Sequence, residues 1–279
     1  MKIIFSDIDG TFAKMGHIPP QNIKAVKELE AAGHRFVFVS GRGVAQIEPI
    51  LKECNFDCDY IYGNGAGYRI MGENPKLEYF IDAGEYDQWE EIMLTNKAFY
   101  YMHTNKGIVM QPLEDIMHHF DTLQAVYLEQ FGEKIAKNLD NRKVDFRATA
   151  TFATNPFDYL RANPELKLIK FELLNGEQDI RQKIQQIATD LGYFAFSSVL
   201  LNLEIVPSLS NKGNGIQRYL SQFDHVEKTF GFGDAMNDLA MFEVVDCAVA
   251  MGDSSEQVKA ICDITLDEEM GDYILRELL

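Results

Sequence analysis

At 279 residues, with 46% hydrophobic side chains, the chain is long enough for one large or two modest domains, each with a buried core. Its formal net charge of −17 argues against a nucleic-acid groove or an anionic membrane surface, and any phosphate ligand needs a local cation to offset that field. No run approaches the ~18 apolar residues of a membrane span, the N-terminus lacks a signal-peptide pattern, and four cysteines (Cys54, Cys58, Cys247, Cys262) read as ordinary thiols, so a cytoplasmic setting is expected.

The apolar run Ile3–Phe5 reads as a buried strand of a parallel sheet, and it leads directly into Asp7, Asp9, Gly10 and Thr11. Ile18-Pro19-Pro20 opens a helix carrying Ile23, Val26 and Leu29 at helical spacing, with Gly33 as its stop. A second strand, His34–Val39, ends in Ser40-Gly41-Arg42, and a helix from Val44 to about Glu53 follows. The strand Tyr60–Tyr62 ends in Gly63-Asn64-Gly65-Ala66-Gly67. This alternation with short loops is the mark of a doubly wound sheet.

The rhythm then changes. Tyr68–Ile81 reads as a hairpin turning at Gly72–Pro75, Asp82–Thr95 as a helix, and Phe99–Gln111 as two strands. Leu113–Phe131 is expected to be helical, with strand-like segments near Asp145–Ala153 and Leu166–Leu174. Glu177–Leu191 is another helix, and Tyr193–Val206 has the content of one or two strands. These elements indicate a separate α+β domain, placed at 83–194, with the core domain at 1–82 and 195–279.

From about Leu203 the parallel-sheet pattern is expected to return. Lys212 opens a helix through Leu220, the strand Lys228–Phe232 ends in Gly233-Asp234-Ala235-Met236-Asn237-Asp238, and strand Cys247–Ala250 and a helix near Tyr273–Leu278 close the set.

Four features fall at strand ends or helix starts: Asp7 with Asp9, Ser40 with Gly41, Lys212, and Asp234 with Asp238. Ligands of open α/β sheets sit there. Two close carboxylates repel unless a cation or a shared proton relieves them, and a hard divalent ion, Mg²⁺, suits oxygen ligands. Asp7 is placed to attack phosphorus as a nucleophile and Asp9 to serve as acid and then base. Ser40 and the Gly41 N–H are placed to hold a phosphoryl oxygen at a helix start, and Lys212 supplies a point charge. Taken singly, Ser40 reads as a helix cap, Lys212 as a surface lysine, and Asp234 and Asp238 as solvated acids of a first turn. Cys54 and Cys58 lack the partners of a zinc site, and His118-His119 point in different directions on a helix.

Taken together, Asp7-Ile8-Asp9-Gly10-Thr11, Ser40-Gly41-Arg42, Lys212 within Ser210–Gly213, and Gly233-Asp234-x-x-Asn237-Asp238 resemble the four motifs of the haloacid dehalogenase superfamily. Within it, the chain is similar to the Cof-type phosphatases, whose cap domain lies between the second and third motifs. Ser40 stands where that motif commonly has Thr, keeping the hydroxyl. The resemblance implies a Rossmann-like core with an inserted α+β cap, and a Mg²⁺-dependent phosphatase with Asp7 as nucleophile and Asp9 as acid/base. It further implies phosphate binding by Ser40, Gly41, Lys212 and Asn237, and metal binding by Asp7, Asp9 (through its main-chain carbonyl), Asp234 and Asp238. The expected partner is a small phosphorylated metabolite, a sugar phosphate or cofactor-like phosphate, selected by the cap. A phosphomutase using the same aspartyl-phosphate, or a phospho-ligand sensor without turnover, are the alternatives.

Overall fold

The computed structural model describes residues 1–14, 16–175, 177–197 and 201–279. In chain order the elements are β1 Lys2–Ser6, α1 Pro20–Ala31, β2 Arg35–Val39, α2 Val44–Cys54, β3 Asp59–Tyr62, β4 Gly67–Arg69, β5 Lys76–Leu77, α3 Tyr86–Thr95, β6 Tyr100–Thr104, β7 Gly107–Met110, α4 Leu113–Phe131, α5 Glu133–Thr149 and β8 Thr151–Phe152. They continue with α6 Pro156–Ala162, β9 Leu168–Leu174, α7 Gln178–Asp190, β10 Tyr193–Phe196, β11 Asn202–Pro207, α8 Lys212–Leu220, β12 Lys228–Gly233, α9 Leu239–Phe242, β13 Cys247–Met251, α10 Glu256–Lys259, β14 Ile264–Leu266 and α11 Met270–Glu277.

The chain divides into two compact units: Met1–Tyr79 with Leu209–Leu279, and Phe80–Ser208. The first unit holds a sheet ordered β14-β13-β12-β1-β2-β3-β4-β5. Its pairings are parallel from β14 to β3, and β4 and β5 are added antiparallel. From β1 the chain proceeds to β2 on one side, while β12 lies on the other, so strand order reverses between β1 and β12. That is the switch point where a crevice opens at the carboxyl ends of the strands.

Burial of β1–β3 explains why their sequences are almost unbroken apolar runs. Ile3, Phe5, Val37, Val39 and Ile61 share one face with Ile216 and Tyr219 of α8 and Met241 of α9. On the other residues of the same strands, Phe36 and Phe38 pack with Phe12, whose ring centroid is 4.8 Å from that of Phe38 in an edge-to-face contact. Fully burying such a ring contributes about 1.5–3 kcal/mol, and here it fastens the loop after β1 to the sheet. All four cysteines are free thiols.

The second unit holds a sheet ordered β10-β11-β9-β6-β7-β8, antiparallel except for β7 with β8. Trp89, Phe157, Phe171 and Leu173 build one core of this unit, and Phe99, Tyr101, Phe120, Phe146 and Leu174 another. α4 runs over the residues expected, Pro112 preceding it and Gly132 following it.

Two expectations are corrected. The segment from Asp145 to Thr149 is the last part of helix α5, and only Thr151–Phe152 is strand. The run Leu203–Val206 does not rejoin the parallel sheet: β11 pairs antiparallel with β9 and β10. The second unit therefore extends to Ser208 rather than to 194, because β11 completes its sheet. Of the strand content expected over Tyr193–Val206, residues 198–200 lie outside the described residues. Among the described residues, no helix is long and apolar enough to cross a membrane.

Candidate active site

The site is built where β1 and β12 end side by side. The Asp7 amide donates to the Phe232 carbonyl at 2.9 Å, so the chain is still in sheet register when it reaches the first carboxylate. It then turns tightly: Gly10 N donates to Ala13 O (2.8 Å) and Ala13 N to Ile8 O (2.8 Å). Gly10 sits at φ +86, and a Cβ there would lie 2.2 Å from Asp234 Oδ2. Glycine is required twice over, for the left-handed turn and for the approach of Asp234.

The loop after β12 brings the other acids. Asp238 is fully buried; its Oδ2 accepts from the Asp234 and Ala235 amides, both at 3.0 Å. Asp234 Oδ1 accepts from the Thr11 hydroxyl at 3.0 Å, tying the two loops together. Lys212, the first residue of α8, is 1% exposed and lies between them. Its Nζ donates to Asp7 Oδ1 at 2.7 Å and to Asp238 Oδ1 at 2.6 Å. The Asn211 side chain caps α8 through the Asn214 amide, fixing where the lysine leaves the backbone.

One lysine thus faces three carboxylates. Oxygens of Asp7, Asp234 and Asp238 all lie within 4.8 Å of one another. Burial pushes the Asp7 carboxyl up to about 7; Lys212 pulls it down, and Asp238 and Asp234 add to the rise. Burial and then Asp238 push Asp234 up to about 6, against the Thr11 hydroxyl and Lys212. Burial disfavours the Lys212 charge, yet Asp238 and Asp7 hold its ammonium above the ordinary lysine range. An all-oxygen donor set with uncompensated negative charge fits a hard divalent cation. Asp7 and Asp234 suit this best, because both oxygens of Asp238 already hold Lys212 and the two amides.

The remaining residues fall as follows. Ser40, 2% exposed, follows β2; its amide donates to Ile61 O (3.0 Å), and its Oγ accepts from the Arg42 amide at 3.2 Å. α2 begins only at Val44, so Ser40 and Gly41 lie just ahead of the helix rather than at its first turn. Gly41 is packed against the Asn64 amide group, where a Cβ would lie 2.9 Å from Oδ1. Asn237 is partly buried in the turn Met236–Asp238. The Asp9 carboxylate, expected as the acid/base while the main-chain carbonyl of Asp9 was expected at the metal, is not in the three-acid cluster. It is exposed and held by the Arg42 guanidinium, Nε to Oδ2 at 2.8 Å and Nη2 to Oδ1 at 2.7 Å.

Thr11 and Arg42 were given no role from sequence, although both lie within the quoted motifs, Thr11 two residues after Asp9 and Arg42 directly after Gly41. Of the histidines, His119 is stacked on Phe99 with its Nε2 at Leu174 O, and His103 lies 3.1 Å from Glu172; among the described residues neither forms part of a metal set. A cleft of about 680 Å³ belongs to the second unit, lined by α4 residues such as His119 and Thr122 and by Asp179 and Lys183 of α7.

Comparison with known proteins accords with this arrangement. Phosphatase YwpJ of Bacillus subtilis (strain 168) is 24% identical, the match covering 100% of both chains. The HMP-PP phosphatase of Serratia proteamaculans (strain 568) is 24% identical over 91% of this chain and 85% of its own. The structure of a haloacid dehalogenase-like hydrolase from Bacillus subtilis superposes with a TM-score of 0.84 at 18% identity, covering 99% of this chain and 100% of that one. The sequence profile of the haloacid dehalogenase-like hydrolases matches residues 4–278. The chain belongs to that family, and within it to the Cof-type phosphatases.

Proposed function

We propose that the protein hydrolyses a small phosphate monoester, a sugar phosphate or cofactor-like phosphate, through a phosphoryl group carried on Asp7. The observation that best supports this is the buried Lys212 held between Asp7 and Asp238 beside a third acid, Asp234. A solvated turn would not bury such charge. An active site that must receive a phosphoryl group keeps it.

In this reading Lys212 fixes one Asp7 oxygen, leaving the other to attack phosphorus. The ester P–O bond breaks, and the leaving oxygen takes its electron pair and a proton from Asp9. Water then gives a proton to Asp9 and attacks phosphorus, the Asp7–phosphorus bond breaks, and phosphate leaves. The Ser40 hydroxyl, the Gly41 amide and Asn237 would orient phosphoryl oxygens. Asp7, Asp234 and the Asp9 main-chain carbonyl would hold Mg²⁺, with Asp238 keeping Lys212 in place. When bound, the ion offsets negative charge on the transferring group.

The second unit, a contiguous insertion at Phe80–Ser208, would act as the cap that selects the ester. A phosphate-release assay on an aryl phosphate and a panel of phosphorylated metabolites, with Mg²⁺ and with EDTA, tests the reading. Metal-dependent release is expected, together with a mass increase on Asp7 when Asp9→Asn is given an activated ester. No turnover of any ester overturns it, and an isomerised ester without free phosphate makes the protein a mutase.

A further inference from the structure

The way the Asp9 carboxylate is held calls for a reason beyond stability. Asp9 lies in the turn after β1, and both its oxygens are engaged by the planar fork of Arg42, at 2.8 and 2.7 Å. Arg42 comes from a different loop, the one after β2, and its own backbone is fixed at both ends. Its amide donates to Ser40 Oγ at 3.2 Å and its carbonyl accepts from Gly63 N at 2.9 Å. The pair is substantially exposed, with side chains 34% and 63% accessible. Exposed ion pairs add little to stability, so stability is a weak account of an arrangement this specific. What a two-point fork does well is set orientation.

We propose that Arg42 is a positioning residue for Asp9. A carboxylate offers four lone-pair sites, and a bidentate guanidinium takes one on each oxygen. The outer site on each oxygen stays free to carry the proton passed to the leaving oxygen and later taken from water. With its torsions set by the fork, Asp9 meets the ester in one orientation instead of sampling several. Positioning of this kind lowers the barrier without any contact between Arg42 and the reacting atoms. The inference rests on the hydrolysis proposed above.

The test is a double-mutant cycle of wild type, Arg42→Ala, Asp9→Asn and the double variant, measured in single turnover on phenyl phosphate and dinitrophenyl phosphate. Arg42→Ala is expected to lower the rate on phenyl phosphate ~10-fold or more, with KM nearly unchanged. On dinitrophenyl phosphate, whose leaving group needs little protonation, the loss should be much smaller. In the Asp9→Asn background, Arg42→Ala should change the rate by less than about twofold. A merely structural arginine would not alter the dependence on leaving group.

Multiplying losses in the double variant, or a loss falling in KM alone, overturns the proposal, because Arg42 would then contact the ester itself. If Arg42→Ala does not fold, Arg42→Lys completes the cycle, since it keeps the charge and removes the fork; wild-type rates in Arg42→Lys also overturn the proposal. A wild-type protein that releases no phosphate from any ester overturns the hydrolysis and this inference together. An active wild type with multiplying losses overturns only the role of Arg42.

Discussion

Lys212 and Lys170 are both buried among carboxylates, 1% and 4% exposed, but their surroundings differ in kind. Around Lys212 the acids stand in loops past the ends of β1 and β12, and main-chain amides hold Asp238 in place. Around Lys170 they stand in mid-strand on one face of the second sheet: Glu204 on β11 at 2.6 Å, and Glu172 on β9 at 4.0 Å. Glu172 in turn lies 3.1 Å from His103 Nε2 and accepts from Asn202 Nδ2 at 3.3 Å. Glu172 and Glu204 are themselves cross-strand neighbours. The second cluster follows from pleated geometry and knits three strands. In the first, burial and mutual repulsion push two acids towards neutrality, a charge imbalance suited to receiving a cation and a phosphoryl group.

The largest effect is expected from Asp7→Asn, which keeps the shape and removes the proposed nucleophile. Phosphate release should fall at least ~10³-fold, with no phosphoryl adduct in the mass spectrum.

The comparison is sharpened by removing each lysine. Lys212→Met should lower turnover ~10²–10³-fold. Lys170→Met should lower stability to urea by about 3–5 kcal/mol, as breaking a buried pair does. Its turnover of an aryl phosphate per folded molecule should stay within about threefold, as for a residue energetically uncoupled from the reaction. Equal catalytic losses from both substitutions would break the distinction.

Next is the metal. Mg²⁺ at 100 times its dissociation constant should stabilise the protein by about 2.7 kcal/mol, read as a rise in the thermal midpoint. Asp234→Asn should remove most of that gain, whereas Glu204→Gln should retain it.

The smallest effect concerns an acid that belongs to neither lysine cluster. Burial, then Asp59 and Asp57, push Glu30 up to about 7 against the pull of Arg35. A carboxyl whose folded pKa is raised favours the folded state while protonated. Ionising it is therefore a penalty, absent below the unfolded value near 4.5 and complete above about 7. Glu30→Gln should be more stable than wild type at pH 8 and indistinguishable at pH 4. Glu30 is only partly buried, so solvent screening limits the gain to about 1 kcal/mol. Chemical denaturation at the two pH values measures it, and a gain at pH 4 would contradict the assignment. Glu30 also shows that a raised pKa alone does not mark a catalytic group.

Acids of the site were legible where they stand just past a largely apolar run, so sequence alone put them at strand ends. Asp7 after Ile3–Phe5 and Asp234 after the strand ending in Phe232 are the clearest cases. α4 was legible to the residue, bounded by Pro112 and Gly132. α5 was not: much of it is charged or amide-bearing, and Val144, 66% exposed, interrupts its apolar stripe. β11 was seen as a strand and assigned to the wrong sheet. Leu203–Val206 is buried throughout, so it lacks the alternation that separates a half-covered strand from a central one. The hold of Arg42 on Asp9 was hidden for a related reason, since it joins residues 33 apart through side chains.

The placement of β12 bears on how the molecule comes into being. β1 pairs with it from Lys2↔Lys228 to Ser6↔Phe232, so the central strand of the first sheet waits for a partner near the far end of the chain. At ~5–20 residues per second, translation separates the two by about 10–45 s. The insertion Phe80–Ser208 is contiguous and can collapse as soon as it clears the ribosome, whereas Asp7 cannot meet Lys212 or Asp234 until synthesis is nearly over. If the proposed function holds, a nascent chain is expected to lack a working centre, and a product ending before Asp238 is expected to release no phosphate.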